Sequence, residues 1–220
     1  MKLSRSLRER LGLFKQQLLS ILGSDKSKLK PLKSYFKKSK TIFIHIPKCA
    51  GTSVASALYG TDPWHFSVKS YSEKVLNEYT CFAVIRDPVD RFYSSYNYLC
   101  SRSHLYPNSL YSDASNCKDI EDFFNKFIKG KNDDEINYFM RSQYWYLSDN
   151  SGKIRVKNVI NMNRLDSEFP KSIREIFSFY DDFPQKNVLS KKTSGHRHED
   201  LNKEIRSHYK KDYEILKNHL

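Results

Sequence analysis

Lys48, Gly51, Thr52 and Ser53 stand close together in the stretch TIFIHIPKCAGTS, and Arg86 and Ser94 stand eight residues apart in TCFAVIRDPVDRFYSS. Each group follows a run of β-branched and aromatic residues and opens a helix-forming one. Glycine lets backbone amides approach an anion closely, and a helix start adds N–H groups and the positive end of a dipole. The loop Lys48-Cys49-Ala50-Gly51-Thr52-Ser53 therefore offers a full charge, amides and two hydroxyls to one anionic group. Arg86 offers a forked pair of donors, and Ser94, about two helical turns further on, can share the same phosphate. This is chemistry for holding a phosphate or a sulfuryl group. The lysine precedes the glycine, so the nucleoside-triphosphate pattern GxxxxGK[ST] is absent. Arg86, followed by Asp87, occupies the place where an acid holding Mg²⁺ would end the second strand. Charge on the ligand is then left to Lys and Arg, and no metal is expected.

These residues need strands that end at the loops and helices that begin there. A strand is expected over 40–46, with a helix starting near Gly51 or Thr52. A further helix covers 70–78, and a second strand covers 80–86. Asp87-Pro88 stops that strand, with Asp87 as N-cap and Pro88 at the first position of a helix over 89–100. Arg91 on that helix is expected to pair with Asp87. Helices over 119–129 and 133–146 are each opened by acids, as the helix dipole favours. A third apolar strand covers 157–162, and helices follow at about 164–178 and 199–217. Strands alternating with helices predict an α/β fold, a P-loop-type parallel sheet flanked by helices on both faces. In such sheets ligands sit at the carboxyl ends of the strands, where both loops lie.

The chain is long enough for one domain with a real core. Its 14 Phe and 15 Tyr supply aromatic core material. Mean hydropathy is -0.70, and no stretch approaches the roughly 18–20 consecutive apolar residues of a membrane span. The net charge of +13 is unevenly placed: residues 1–40 contain twelve Lys or Arg against Glu9 and Asp25. The basic balance thus belongs to an N-terminal extension, residues 1–40, and the catalytic domain is assigned to 41–220. Leu3, Leu7, Leu11, Phe14, Leu18 and Leu22 recur at helical spacing, with Arg5, Arg8, Arg10 and Lys15 mostly off that stripe. The stripe packs on the domain or a partner chain, or lies on an anionic membrane surface. Residues 24–40 read as a polar, Lys-rich linker. Cys49, Cys81, Cys100 and Cys117 show no metal-like spacing and read as reduced thiols, although a Cys100–Cys117 bridge is left open. His196 and His198 read as surface residues.

IFIHIPKCAGTS followed by FAVIRDPVDRFYSSY resembles the two signature loops of the sulfotransferases that use 3′-phosphoadenosine 5′-phosphosulfate (PAPS). The nearest branch is the carbohydrate type, related to the heparan sulfate 2-O- and chondroitin sulfotransferases. RSQYWYL (141–147), VINMNRLDSEF (159–169, with Asn163 where the family has Glu) and FPQKNVLSKKTSG (183–195) echo later family segments. The resemblance spans about 41–217. It implies that Lys48, Cys49, Ala50, Gly51, Thr52 and Ser53 cradle the 5′-phosphosulfate, and that Arg86 and Ser94 anchor the 3′-phosphate. Lys191, Lys192, Gly195 and Arg197 lie where related enzymes close a basic loop over the cofactor, although a solvated loop reads equally well. The implied reaction is in-line transfer of a sulfuryl group to an acceptor hydroxyl, with Lys48 stabilising charge on the leaving phosphate.

Such a transfer needs a base. His65 in DPWHFSVKSY is the first candidate, since carbohydrate sulfotransferases of this type often carry a His here. A packing role beside Trp64 is the alternative. His104 is the second candidate and Asp62 the third, whereas His45, alternating with Ile44 and Ile46, reads as structural. Tyr106, Tyr111, Tyr144, Trp145 and Tyr146 suit either sugar stacking or the core. The acceptor implied is a carbohydrate or another hydroxyl compound. No nucleic-acid partner is expected, and peripheral membrane contact would run through the N-terminal helix. A cytoplasmic bacterial enzyme, at the inner membrane where that helix binds, is the expectation for its location. The rivals are a kinase-like phosphotransferase, which ATP–Mg²⁺ binding would reveal, and a non-enzymatic anionic-surface binder working through residues 1–40.

Overall fold

The computed structural model describes residue 30, residues 32–165 and residues 198–217. The N-terminal leucine stripe, the helix expected beyond residue 165, and the late segment with Lys191, Lys192, Gly195, His196 and Arg197 lie outside the described residues.

Three strands form a parallel sheet in the order β1 (Thr41–Ile44), β2 (Thr80–Ile85), β3 (Asn158–Asn161). Thr41 pairs with Thr80, and Phe82 with Asn158. All of β1, and β2 after Thr80, is buried. Such strands are covered on both faces, which is why they read as continuous apolar runs and not as alternating ones. The α/β architecture inferred from the sequence is the one observed.

The helices are α1 (Ser34–Ser39), α2 (Gly51–Tyr59), α3 (Glu73–Glu78), α4 (Pro88–Ser101), α5 (Leu110–Asn116), α6 (Ile120–Phe127), α7 (Gln143–Leu147), α8 (Glu199–His208) and α9 (Lys210–Lys217). Helix α1 falls within the stretch read as linker; Phe36 drives it, being wholly buried in the sheet's core. Helix α4 begins as expected: Asp87 Oδ1 accepts from the amides of Val89 at 2.8 Å and Asp90 at 3.0 Å, with Pro88 in the first turn.

Two helix assignments differ. Residues 133–146 form turns followed only by the short α7. The Asp133 carboxylate accepts from the Ser142 amide and hydroxyl, each at 2.5 Å, and so closes a loop where a helix would have run on. A short polar side chain competing with backbone bonds in this way favours loops over helix interiors. The last helix is broken at Tyr209, whose buried hydroxyl donates to the Met140 carbonyl at 2.6 Å. A second core, with Phe92, Leu99, Phe123, Phe124, Ile205 and Tyr209, joins α4, α6 and α8.

Candidate active site

The first loop leaves β1 through His45 and Ile46, turns over Pro47–Ala50 and enters α2. Lys48 and Ala50 have φ of 65° and 56°, left-handed values for side-chain-bearing residues. Such conformations cost on the order of 1–3 kcal/mol each and persist where surrounding structure enforces them. Two arginines, one directly after β2 and one on α4, do so here. Arg91 Nε donates to the Pro47 carbonyl at 3.1 Å, and Arg86 Nη1 donates to the Lys48 carbonyl at 3.4 Å. Helix α2 starts with no side-chain cap, and its first bonds run from the Ser53 and Val54 amides to the Ala50 carbonyl. The Gly51 and Thr52 amides precede those bonds and are the ones a helix start leaves for a ligand. Thr52 and Ser53 are exposed beside them.

Lys48 is partly buried, with Nζ 4.1 Å from the centre of the Tyr98 ring. The Arg102 guanidinium lies 5.2 Å from the same ring. Burial, then the charge of Arg86, push the Lys48 ammonium down to about 8; Cys49 opposes them and Arg102 adds to them. Arg86 is 6% exposed. Among the described residues neither Lys48 nor Arg86 forms an ion pair with a carboxylate. Buried charges are ordinarily paired. Two desolvated cations from separate loops beside an uncapped helix start suit a multiply charged anion.

Ser94 lies partly exposed on α4 and shares a helix face with Tyr98 and Arg102, at spacings of four and eight residues. The pairing of Arg91 with Asp87 is not what the structure shows. The Arg91 guanidinium is 2% exposed and spans from Pro47 to the Phe139 carbonyl, 3.1 Å away. Asp87 is occupied with its cap and with the Tyr213 hydroxyl.

Gln143 was not singled out as a site residue, yet it joins the two loops. Its Oε1 accepts from the Arg86 amide at 2.9 Å and the Cys49 thiol at 3.4 Å, and its Nε2 donates to the Arg86 carbonyl at 2.7 Å. Asp212 on α9 accepts in turn from the amides of Gln143 at 2.9 Å and Tyr144 at 2.8 Å. Burial pushes the Asp212 carboxyl up to about 6, although Arg91 and the two amides pull it down. Burial likewise pushes the Cys49 thiol up to about 11. Cys49 therefore faces the core and contributes backbone to the loop. The one signal in the sequence was the Gln of RSQYWYL.

His65 is brought beside the loop. Its Nδ1 meets the His45 carbonyl at 2.9 Å, and its ring lies 4.2 Å from that of His45 and 5.6 Å from Tyr138. A carbonyl only accepts, so Nδ1 carries the proton and Nε2 the lone pair. Burial, then the neighbouring His45, holds the imidazole well below its usual value and hence neutral. His45 is buried, as a structural residue should be, and its Nδ1 is bonded to Asp62 Oδ1 at 2.9 Å. His104 lies exposed in a 3₁₀ turn.

Of the aromatic candidates, Tyr106 and Tyr111 join the cluster around Lys48: Tyr111 lies 6.3 Å from Tyr98 and 4.7 Å from Tyr106. Tyr146 is core, wholly buried. Tyr144 donates to the Gly152 carbonyl, and the Trp145 ring takes the Arg141 and Lys69 cations. All four cysteines are free. Among the described residues there is no group of three or more His, Cys, Asp or Glu able to hold a metal ion, and His198 is exposed.

Searches of curated proteins and of solved structures returned no match. A family model described as Sulfotransferase family matches residues 35–217, from α1 to the end of α9. That span takes in both loops and the Gln143–Asp212 clamp, and the chain belongs to the sulfotransferase family.

Proposed function

We propose that this sulfotransferase takes PAPS as donor and a carbohydrate hydroxyl as acceptor. The observation that carries the reading is the convergence of Lys48 and Arg86 from two loops, without a carboxylate partner among the described residues, at the start of α2. The residues fit a donor with two phosphate groups: cations on both loops, amides at Gly51 and Thr52, and hydroxyls at Thr52, Ser53 and Ser94. When bound, PAPS supplies the sulfuryl group that passes to the acceptor oxygen. Lys48, the Thr52 and Ser53 hydroxyls and the loop backbone from Cys49 to Gly51 hold the 5′ end. Arg86 and Ser94 hold the 3′-phosphate. Lys192, outside the described residues, is proposed to add a cation from the late loop. Lys48 offsets negative charge growing on the leaving phosphate, an interaction worth most in a site with little water. His65 Nε2, neutral and bearing the lone pair, takes the proton of the acceptor hydroxyl.

A carbohydrate acceptor is supported by the family branch and by the Tyr98, Tyr106, Tyr111 and Tyr138 cluster between Lys48 and His65. Tyrosine rings present apolar faces with polar rims, which suits a sugar ring.

Calorimetry with 3′-phosphoadenosine 5′-phosphate (PAP), without metal, tests the donor assignment beside AMP and ATP–Mg²⁺. PAP should bind more tightly than AMP, and Arg86→Ala should remove most of that difference. A preference for ATP–Mg²⁺ would instead identify a phosphotransferase.

A further inference from the structure

Whether His65 can act as a base depends on how its ring is held, and residues outside the phosphate-binding groups hold it. Asp62 Oδ1 accepts from His45 Nδ1 at 2.9 Å and also from the Trp64 amide at 2.8 Å. Trp64 has φ 74°, a left-handed value unusual for a bulky residue. A backbone so disposed needs its surroundings to enforce it. His65 follows directly, and its Nδ1 bonds to the carbonyl of the same His45 whose ring Asp62 grips. The His45 ring is 2% exposed and lies flat on Phe43, 5.6 Å between centres.

We propose that Asp62 is a positioning residue: one carboxylate oxygen ties His45 to the Trp64 turn and so locks the His65 imidazole in the tautomer that leaves Nε2 to receive the acceptor's proton. The proposal rests on His65 being the base. Asp62 itself is poorly suited to that role. The oxygen that forms these bonds already receives two N–H groups. Burial resists its ionisation, but the His45 hydrogen bond, the two histidines and the Trp64 amide together draw its carboxyl down to about 2. So weak a base takes a proton from a hydroxyl inefficiently. The Asp62 side chain stands at the rim of the site, 42% exposed, which makes substitution compatible with folding.

Two variants separate the roles. Asp62→Asn keeps an oxygen able to accept both N–H groups, whereas Asp62→Ala removes it. The readouts are ¹⁵N spectra of the histidine rings in the PAP-bound enzyme, and turnover with PAPS and desulfated heparin as acceptor probe. Thermal unfolding serves as the folding control. Asp62→Asn should keep the single Nδ1–H tautomer of His65 and lose at most about tenfold in kcat, since a neutral acceptor bonds less strongly than a charged one. Asp62→Ala should show mixed tautomers and lose about 100-fold in kcat, the scale of a displacement of about 1 Å, with PAP affinity kept. The proposal is overturned if Asn falls as far as Ala, because charge or direct proton transfer then explains the effect. It is overturned equally if Ala keeps one tautomer. If wild-type enzyme neither binds PAP nor sulfates the probe, the donor and acceptor reading fails instead, and ring spectra taken without PAP still decide whether Asp62 sets the tautomer.

Discussion

The imidazole of His45 fills the space that a side chain at Gly51 would need: a Cβ built there falls 1.9 Å from His45 Cδ2 and 2.3 Å from Nε2. The glycine of the first loop is thus required by a neighbouring side chain, whatever the loop binds. Its partner cannot step aside, being held by Asp62 and by the Phe43 ring. Gly51→Ala should destabilise the protein by about 1–3 kcal/mol, the range for overpacking, read as a lowered Tm. His45→Ala in the same chain should recover most of that loss, and a double-mutant cycle would measure the coupling. An unchanged Tm for Gly51→Ala alone would mean that the His45 ring yields freely.

PAP affinity should depend on pH through Lys48. In the free enzyme its ammonium titrates at about 8, because burial and then Arg86 disfavour the charge. A bound phosphate favours the charged form and raises that value. Affinity is therefore constant below pH 8 and falls as pH rises beyond it, by about tenfold per pH unit until the bound-state value is reached. Calorimetry at pH 7, 8 and 9 checks this, and Lys48→Met should flatten the profile.

Lys48 and Arg86 should separate in kinetics. Lys48→Ala removes the cation that offsets charge on the leaving phosphate, and kcat should fall about 100- to 1,000-fold, as for loss of one preorganised donor. Arg86→Ala should act chiefly on donor binding, raising KM for PAPS more than it lowers kcat. Equal effects on both constants in both variants would argue against this division.

Asp212 should govern stability from beneath the site. Its carboxyl is raised by burial to about 6 in the folded protein. Between the ordinary carboxylate value and about 6 the folded state binds more protons than the unfolded one. Its contribution is greatest below that window and declines as pH rises through it. Asp212→Asn should abolish that slope. It should also cost about 1–3 kcal/mol at neutral pH, because an amide N–H₂ would face donors at Gln143 and Tyr144. Urea unfolding between pH 4 and 7 measures both effects.

What the sequence determined by itself is local. Three apolar runs became the three strands, with ends shifted by a residue or two, because consecutive apolar residues suit a sheet covered on both faces. Asp87-Pro88 set the start of α4 and Lys48-Cys49-Ala50-Gly51 the first turn, since caps, proline and glycine act on backbone groups only a few residues away. What the tertiary structure decided is which side chains hold those pieces together. Arg91 grips Pro47 across 44 residues, and Gln143 reaches Arg86 across 57 and Asp212 across 69. Such bonds leave no periodic trace, because their partners meet only after the sheet and helices have packed. The same holds for Asp133, which turned an expected helix into a loop. It holds also for His45, whose burial was legible from its place on a strand. Its grip on His65 needed Asp62 and the Trp64 turn to be folded back against β1.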